Sequence, residues 1–519
     1  MHKLSSKENK NSIILIAVGI FTQILWVSAN NFGWGWDSLG YLAIGRQLLG
    51  MQENMWNLKY YYPPGVSILM VITGVYTLNT LLYFKIIVFF MSASMPLMLY
   101  KIFYNFHEKA AFISGIVFAA FFGASIYSQE IMSNHAGMFF QLLFLMYIYN
   151  IEKYSGFKYS ILFGIVLFMF IASRSANFTM VVAIIPYLYK VMSKFDRKIL
   201  LKQLRDLFTL TIAFFVSIFI YSCIKSINTS EKFKYEISRD MGPRILMMGA
   251  YTGGSFYLNG YSNPIFTPSN GMFSKEFFSH LENRFDKMDL SKNNIGNYGQ
   301  NSKEIIDYLI RFPSLPNYYE MWFGIDAELN LDQADRLVNN VFFETVLAQP
   351  RLLKYYMWNS YNFFFGSMMT IKTDNKECFF NCFDSEVPQI NPNESKFDGA
   401  VFDGYVHTNI INEINDQYKV KINSSLINII NIILIAFYSN KKYLVILTLL
   451  SPFLVNEKYK HLAISLVLIC LVTNAVTSLC FPPHSRYWYP IMPIIIFGSA
   501  LVISQFIEKL KMNLIFKIN

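Results

Sequence analysis

Apolar runs close to membrane length recur along this chain, at 13–29, 81–100, 110–127, 136–149, 160–172, 178–192, 207–226, 425–438, 443–455, 461–480 and 489–507. A helix rises about 1.5 Å per residue, so roughly 20 apolar residues cross a hydrocarbon core of about 30 Å. Backbone inside lipid must satisfy its own hydrogen bonds, which restricts such runs to helices. With 54% hydrophobic and only 15% charged residues over 519 positions, the chain reads as an all-α polytopic membrane protein of about 10–11 transmembrane helices. The run at 13–29 follows a polar tail carrying Lys3, Lys7 and Lys10 and has no small-residue cleavage site after it, so it reads as a retained helix.

Orientation follows from the lysines and arginines, which favour cytoplasmic connections. Lys190, Lys194, Arg197, Lys198, Lys202 and Arg205 form the densest basic connection, and Lys101/Lys109, Lys153/Lys158, Lys441/Lys442 and Lys509/Lys511 are assigned to the same side. The run at 443–455 has basic flanks on both sides, Lys441/Lys442 and Lys458/Lys460, so it is either a span or a cytoplasmic interfacial piece. The outer side then holds the loop at 30–65, the turn around Glu130, the turn at 173–177, the segment at 227–424 and the turn at 481–488. The division is 1–226 as an N-terminal membrane module, 227–424 as an extracytoplasmic, mainly helical region, and 425–519 as C-terminal membrane helices.

The net charge of +10 divides unevenly. Of 44 basic and 34 acidic residues, 18 and 24 fall in 227–424, leaving 26 and 10 for the membrane part. The positive excess is therefore topological, and no basic face with interleaved aromatics points to nucleic acid. Seven of the ten acidic residues lie on the side read as cytoplasmic, and Asp37, Glu53 and Glu130 face outward. Within 227–424, 329–348 has apolar residues at helical spacing. Residues 350–370, with Tyr355, Tyr356, Trp358 and Phe363 to Phe365, read as an amphipathic segment at the bilayer surface. Cys378 and Cys382 fall where oxidation is permitted and are either a disulfide pair or free.

Candidate chemistry concentrates in the outer turns. Trp36-Asp37-Ser38 leads into Tyr41 and Ala43, then Tyr60-Tyr61-Tyr62-Pro63-Pro64-Gly65 opens an apolar run at 66–78 that reads as an interfacial helix on the outer surface; Ser128-Gln129-Glu130 forms the second outer turn. Ala348-Gln349-Pro350 precedes Tyr355, and Ser485-Arg486-Tyr487-Trp488-Tyr489-Pro490 lies near the end. These motifs, in this order, resemble the GT-C membrane glycosyltransferases, in particular the bacterial branch of protein O-mannosyltransferases and of aminoarabinose and RgtA-like sugar transferases.

The resemblance implies transfer of a sugar from a polyprenyl-phosphate donor to an acceptor hydroxyl at the extracytoplasmic face of a bacterial plasma membrane, with inversion. The acceptor is a glycan, a lipid or a protein. Asp37 is then the candidate base, a carboxylate being able to take the acceptor proton; its structural alternative is a helix cap. Glu130 shares the site, as a metal ligand or by orienting the acceptor. His135, with Asp37 and Glu130, makes a set for a divalent metal ion, or is simply an interfacial histidine. Arg486 and Arg174 suit a phosphate oxygen pair, or they snorkel to membrane lipid; Lys59, Tyr41, Tyr62 and His484 complete the substrate-binding candidates. A polysaccharide polymerase or ligase of the cell envelope, and more remotely a secondary transporter, are the competing classes; mid-helix charge is sparse, with Lys85 the main exception, which disfavours the transporter.

Overall fold

A computed structural model describes residues 6–30, 38–51, 63–123, 133–151, 153–174, 185, 197–229, 233–235, 237, 242–258, 262–288, 297–366, 371–373, 376–378, 396–397, 400–401, 424–480 and 489–518. The chain is a multi-pass helical membrane protein. Among the described residues, five helices are long and apolar enough to cross a membrane, Lys7–Ser28, Leu82–Phe103, Leu204–Asn228, Glu457–Leu479 and Met492–Lys511, with His135–Tyr149 and Phe157–Ser173 as shorter apolar helices. Two compact units divide the chain, Met1–Arg239 with Met369–Thr473 and Ser485–Asn519, and Asp240–Met368 with Asn474–His484.

In the first unit the helices are α1 (Ser6–Asn30), α2 (Ser38–Leu48), α3 (Gly65–Ile72), α4 (Leu82–Phe103), α5 (Glu108–Gly123), α6 (Ser133–Tyr149), α7 (Phe157–Ser173) and α8 (Arg197–Thr229). Lipid offers little drive for helices to associate, so close backbone approach matters. Gly19 supplies it between α1 and α4, since a Cβ there would overlap the carbonyl of Ala93. The ends that the sequence groups as basic are tied together by polar contacts. Lys101 at the end of α4 pairs with Glu8 of α1 at 2.6 Å, Lys7 reaches Glu108 at the start of α5, Asn105 bonds Asn150 after α6, and Asp206 of α8 accepts from the Gly156 N–H before α7.

The second unit contains α9 (Gly242–Met248), a π-helical turn (Gly249–Gly254), α10 (Met272–Asp286), α11 (Ser302–Arg311), α12 (Leu315–Glu328), α13 (Leu331–Ala348) and α14 (Leu352–Phe365). Three of these begin on residues whose side chains accept a first-turn amide: Asn301 from Glu304, Ser314 from Asn317 and Asn330 from Gln333. On α10, Ser274, Phe277, Phe278, Leu281 and Phe285 are buried, one face at helical spacing. The Arg244 side chain is buried and ties α9 to the neighbouring pair. Its Nε reaches Asp335 of α13 at 2.7 Å, its Nη2 reaches Asp326 of α12 at 2.5 Å, and its guanidinium lies 4.8 Å from the Trp322 ring centre. Trp322 donates from its indole to the other Asp326 oxygen.

α10 begins at Gly271, which has no capping side chain of its own. Glu344 of α13 takes that role, accepting from the Phe273 N–H at 2.9 Å and the Ser274 N–H at 2.7 Å, and from the Ser274 hydroxyl. Burial pushes the Glu344 carboxyl up, but these donors outweigh it and hold the group below its usual value. A carboxylate depressed on folding stabilises above its unfolded pKa, and that contribution is lost as pH falls through the folded pKa. Glu344→Gln should therefore lower the stability of this unit by about 1 kcal/mol at neutral pH, the typical worth of a cap. In thermal unfolding the gap to wild type should close as pH drops below the carboxylate range; a gap that persists there would mean that the charge is not what caps α10.

The remaining described elements are two antiparallel hairpins, β1 (Ile371–Thr373) with β2 (Lys376–Cys378) and β3 (Lys396–Phe397) with β4 (Ala400–Val401), then α15 (Ser424–Leu454), α16 (Glu457–Cys480), a 3-10 turn (Tyr489–Ile491) and α17 (Met492–Ile518). α15 corrects the sequence reading at one point. The runs at 425–438 and 443–455 are one continuous helix, so Lys441 and Lys442 lie within it rather than in a connection. Thr448 bonds the Ile495 carbonyl at 2.9 Å and the Asn456 N–H bonds Gln505, which fixes α15 and α17 as parallel neighbours. Cys382 lies outside the described residues, and with it the disulfide expectation.

Candidate functional site

Six of the nine sequence candidates, Asp37, Lys59, Tyr62, Glu130, His484 and Arg486, lie outside the described residues. Their chain neighbours are described, and these pack together. α2 starts one residue after Asp37, and α3 follows Tyr62 directly through Pro63 and Pro64. Proline is suited to this place because a first helical turn leaves its N–H groups unpaired. The two helices are joined by paired polar contacts, Ser67 Oγ donating to the Tyr41 carbonyl at 2.7 Å and Tyr76 Oη to the Leu42 carbonyl at 2.7 Å. One apolar cluster then gathers Tyr41, Leu42, Val66, Met70, Val75, Tyr76, Phe84 and, from the first turn of α6, Ala136. Ala136 stands six residues after Glu130.

Arg174 joins the same group. It ends α7 in an extended conformation, half-buried, and its N–H bonds the Ile171 carbonyl. Gly65 lies against the residue before it, and a Cβ on Gly65 would come within 2.6 Å of the Ser173 backbone N and hydroxyl. Any larger residue would push the proline-opened helix off the end of α7. The segment after Arg486 reaches the same helices, since Gln141 of α6 donates to the Pro490 carbonyl at 2.5 Å. The starts of α2, α3 and α6, the end of α7 and the 3-10 turn thus meet within the first unit.

His135, on the first turn of α6, is fully buried, with its ring edge-on to Phe84 at 6.1 Å. Neither ring nitrogen has a hydrogen-bond partner among the described residues. Among those residues no group of three His, Cys, Asp or Glu side chains is placed to hold a metal, and the two carboxylates proposed to join His135 lie outside them. Tyr41 is buried in the apolar cluster with its carbonyl engaged by Ser67.

No family model and no curated protein matches the sequence. Among solved structures, the chain is similar to an archaeal oligosaccharyltransferase, AglB from Archaeoglobus fulgidus, in complex with an inhibitory peptide and a dolichol-phosphate. The likeness has a TM-score of 0.39 at 11% identity and covers 97% of this chain and 51% of that one. The chain spans about half the length of that protein.

Sequence reasoning passed over Arg46. It stands nine residues after Asp37, on α2, and is buried. Ile44 and Leu48 on the same helix pack against Phe168, Met169 and Ala172 of α7 and Ile218 and Tyr221 of α8. A helix with buried residues on both sides of an arginine carries that arginine into the protein, and the even run of apolar residues around position 46 was the available signal.

Proposed function

We propose that this chain is a GT-C-type membrane glycosyltransferase that moves a sugar from a polyprenyl-phosphate donor to an acceptor hydroxyl at the extracytoplasmic face. What supports the reading is the meeting of the five chain segments that adjoin Asp37, Tyr62, Glu130, Arg174 and Arg486, which are the motif residues in family order. Residues that act on one substrate have to share a reaction centre, and the described ends of these segments, scattered over about 450 positions of sequence, lie together.

In this mechanism Asp37 accepts the proton of the acceptor hydroxyl as its oxygen attacks the anomeric carbon. The bond from that carbon to the phosphate oxygen breaks on the opposite side, giving inversion and releasing polyprenyl phosphate. Arg486 and Arg174 bear on the phosphate, where a planar guanidinium can donate to two oxygens at once. Lys59, Tyr62 and His484 would contribute to binding donor and acceptor. Asp37, Glu130 and His135 are the residues that would hold a divalent ion, the last having ring nitrogens without partners among the described residues. Such an ion would supply positive charge to the departing phosphate.

The reading is tested by deleting the chain from its host. The lipid-linked sugar that it consumes should accumulate in lipid extracts and return to its former level when the chain is restored. An unchanged pool of polyprenyl-phosphate sugars would contradict the proposal.

A further inference from the structure

The outer face of α14 is apolar where the other helices of the second unit meet water. Its inner face buries Leu352, Tyr355, Tyr356, Asn359, Phe363 and Phe364. On the opposite side Leu353, Met357 and Tyr361 are 64%, 65% and 62% exposed. Residues four apart share one side of a helix, so these three form a continuous stripe about two turns long. The only other exposed residue of α14 is Lys354. α11, in the same unit, has the outer face that water calls for, exposing Lys303, Glu304, Asp307 and Arg311. The difference lies in the sequence itself, since the α14 stripe contains no group that gains from hydration except the Tyr361 hydroxyl.

What lies beside α14 identifies what covers that stripe. Asn359 Nδ2 donates to the Ser478 carbonyl at 3.1 Å, and Asn474 Nδ2 donates to the Ser360 carbonyl at 3.3 Å and to its hydroxyl at 2.9 Å. Asn474 and Ser478 stand on the last two turns of α16 and belong to the second unit. They fall within Glu457–Leu479, a helix long and apolar enough to cross a membrane. Asn474 is five residues, about 8 Å of helix, short of its Leu479 end. The middle of α14 is therefore held at the level of those last turns, and amphipathic helices that lie in the membrane plane bury their apolar face about 5–10 Å deep. The charge agrees. Residues 227–424 carry 24 acidic and 18 basic side chains, yet α14 has no acidic residue at all, and its Lys354 can lay its stem on the apolar stripe with the ammonium at lipid phosphate. Tyr257 and Trp358 stack at 4.7 Å beside it, both partly exposed, and such rings favour the headgroup zone.

We infer that α14 is an in-plane membrane helix whose Leu353, Met357 and Tyr361 stripe is seated in the glycerol and upper acyl-chain region of one leaflet, so that the second unit binds bilayer lipid through a surface of its own. The end of a membrane span is ringed by lipid, and a helix hydrogen-bonded along that end meets the same lipid on its far side. The contact does not depend on the proposed glycosyl transfer.

The test uses the full chain with its five native cysteines replaced by alanine, in nanodiscs of phosphatidylethanolamine and phosphatidylglycerol, with a bimane label on Leu353→Cys or Met357→Cys. Phe90→Cys, exposed on the membrane helix α4, and Lys303→Cys, exposed on α11, serve as the lipid and water references. Labels at 353 and 357 should emit as far to the blue as the label at 90. They should lose more fluorescence to 5-doxyl than to 12-doxyl phosphatidylcholine, whereas the label at 303 should emit as in water and lose little to either. Water-like emission at 353 and 357 would overturn the inference by leaving the stripe open to solvent. Blue emission quenched by neither doxyl lipid would overturn it differently, by showing that a protein surface such as a second copy of the chain covers the stripe. Should the cysteine-free chain fail to assemble, benzoylphenylalanine at position 357 of the otherwise native chain decides the matter. Light should then give lipid adducts, and their absence would count against the lipid contact.

Discussion

Asp37→Asn should abolish glycosyl transfer while leaving insertion, expression and thermal stability near wild type. The substitution keeps shape and hydrogen-bonding capacity and removes only the ability to take a proton. Loss of a general base costs about 10²–10⁴ in rate, and because the amide can still contact the acceptor, the fall should lie in kcat more than in KM. The alternative role for Asp37 is a cap on α2, which begins at Ser38. A cap is worth about 1 kcal/mol, and asparagine caps as well as aspartate, so a purely structural Asp37 would leave Asp37→Asn active. Rate and stability together separate the two roles, with Asp37→Ala, which loses base and cap alike, as the companion variant.

Removing Arg244 should have the largest effect on stability. Its guanidinium is 1% exposed and the Asp326 side chain is fully buried against it. Arg244→Ala would strand the Asp326 carboxylate without its cation, and breaking such a buried pair from one side costs about 3–5 kcal/mol. Arg244→Lys keeps the charge but cannot bridge Asp326 and Asp335 while lying over Trp322, so it should recover only part of the loss. The double variant Arg244→Met with Asp326→Asn removes both charges and should be more stable than Arg244→Ala. Hydrogen exchange in the amides of α9, α12 and α13 reports this directly, since those helices are joined through the arginine. Unchanged protection in Arg244→Ala would mean that apolar packing alone holds α9 in place.

The parts of this protein legible in its sequence are those set by the solvent around them. Lipid forces long apolar helices, and α1, α4, α8, α16 and α17 follow the runs that mark them. In the second unit the apolar spacing after Leu329 resolves as α13, Leu331–Ala348, and the aromatic segment after Pro350 as α14. The sequence misread 439–442 because Ser439, Asn440, Lys441 and Lys442 have the composition of a turn. A turn and a helix carrying one inward lysine look alike until the buried stripe through Lys441, Val445 and Thr448 is followed. The Arg244 cluster was not legible at all, since its partners stand 82 and 91 residues away and pair only once α12 and α13 lie side by side. Motif order singled out residues such as Asp37, Tyr62, Glu130 and Arg486, which adjoin the described helices in sequence. It passed over the buried cations Arg46 and Lys441, because burial of a cation depends on what packs over it.

The central claim is that this chain consumes a polyprenyl-phosphate sugar at one shared site. The most direct test reconstitutes the full chain and Asp37→Asn in parallel into membranes from a host lacking the chain, which retain the native acceptor, and supplies the radiolabelled lipid-linked sugars extracted from that host. The account predicts that wild type transfers label to an acceptor and releases polyprenyl phosphate in equal amount, and that Asp37→Asn does neither within about two orders of magnitude of the wild-type rate. Label that stays on the lipid with wild type, or moves equally well with Asp37→Asn, would contradict it.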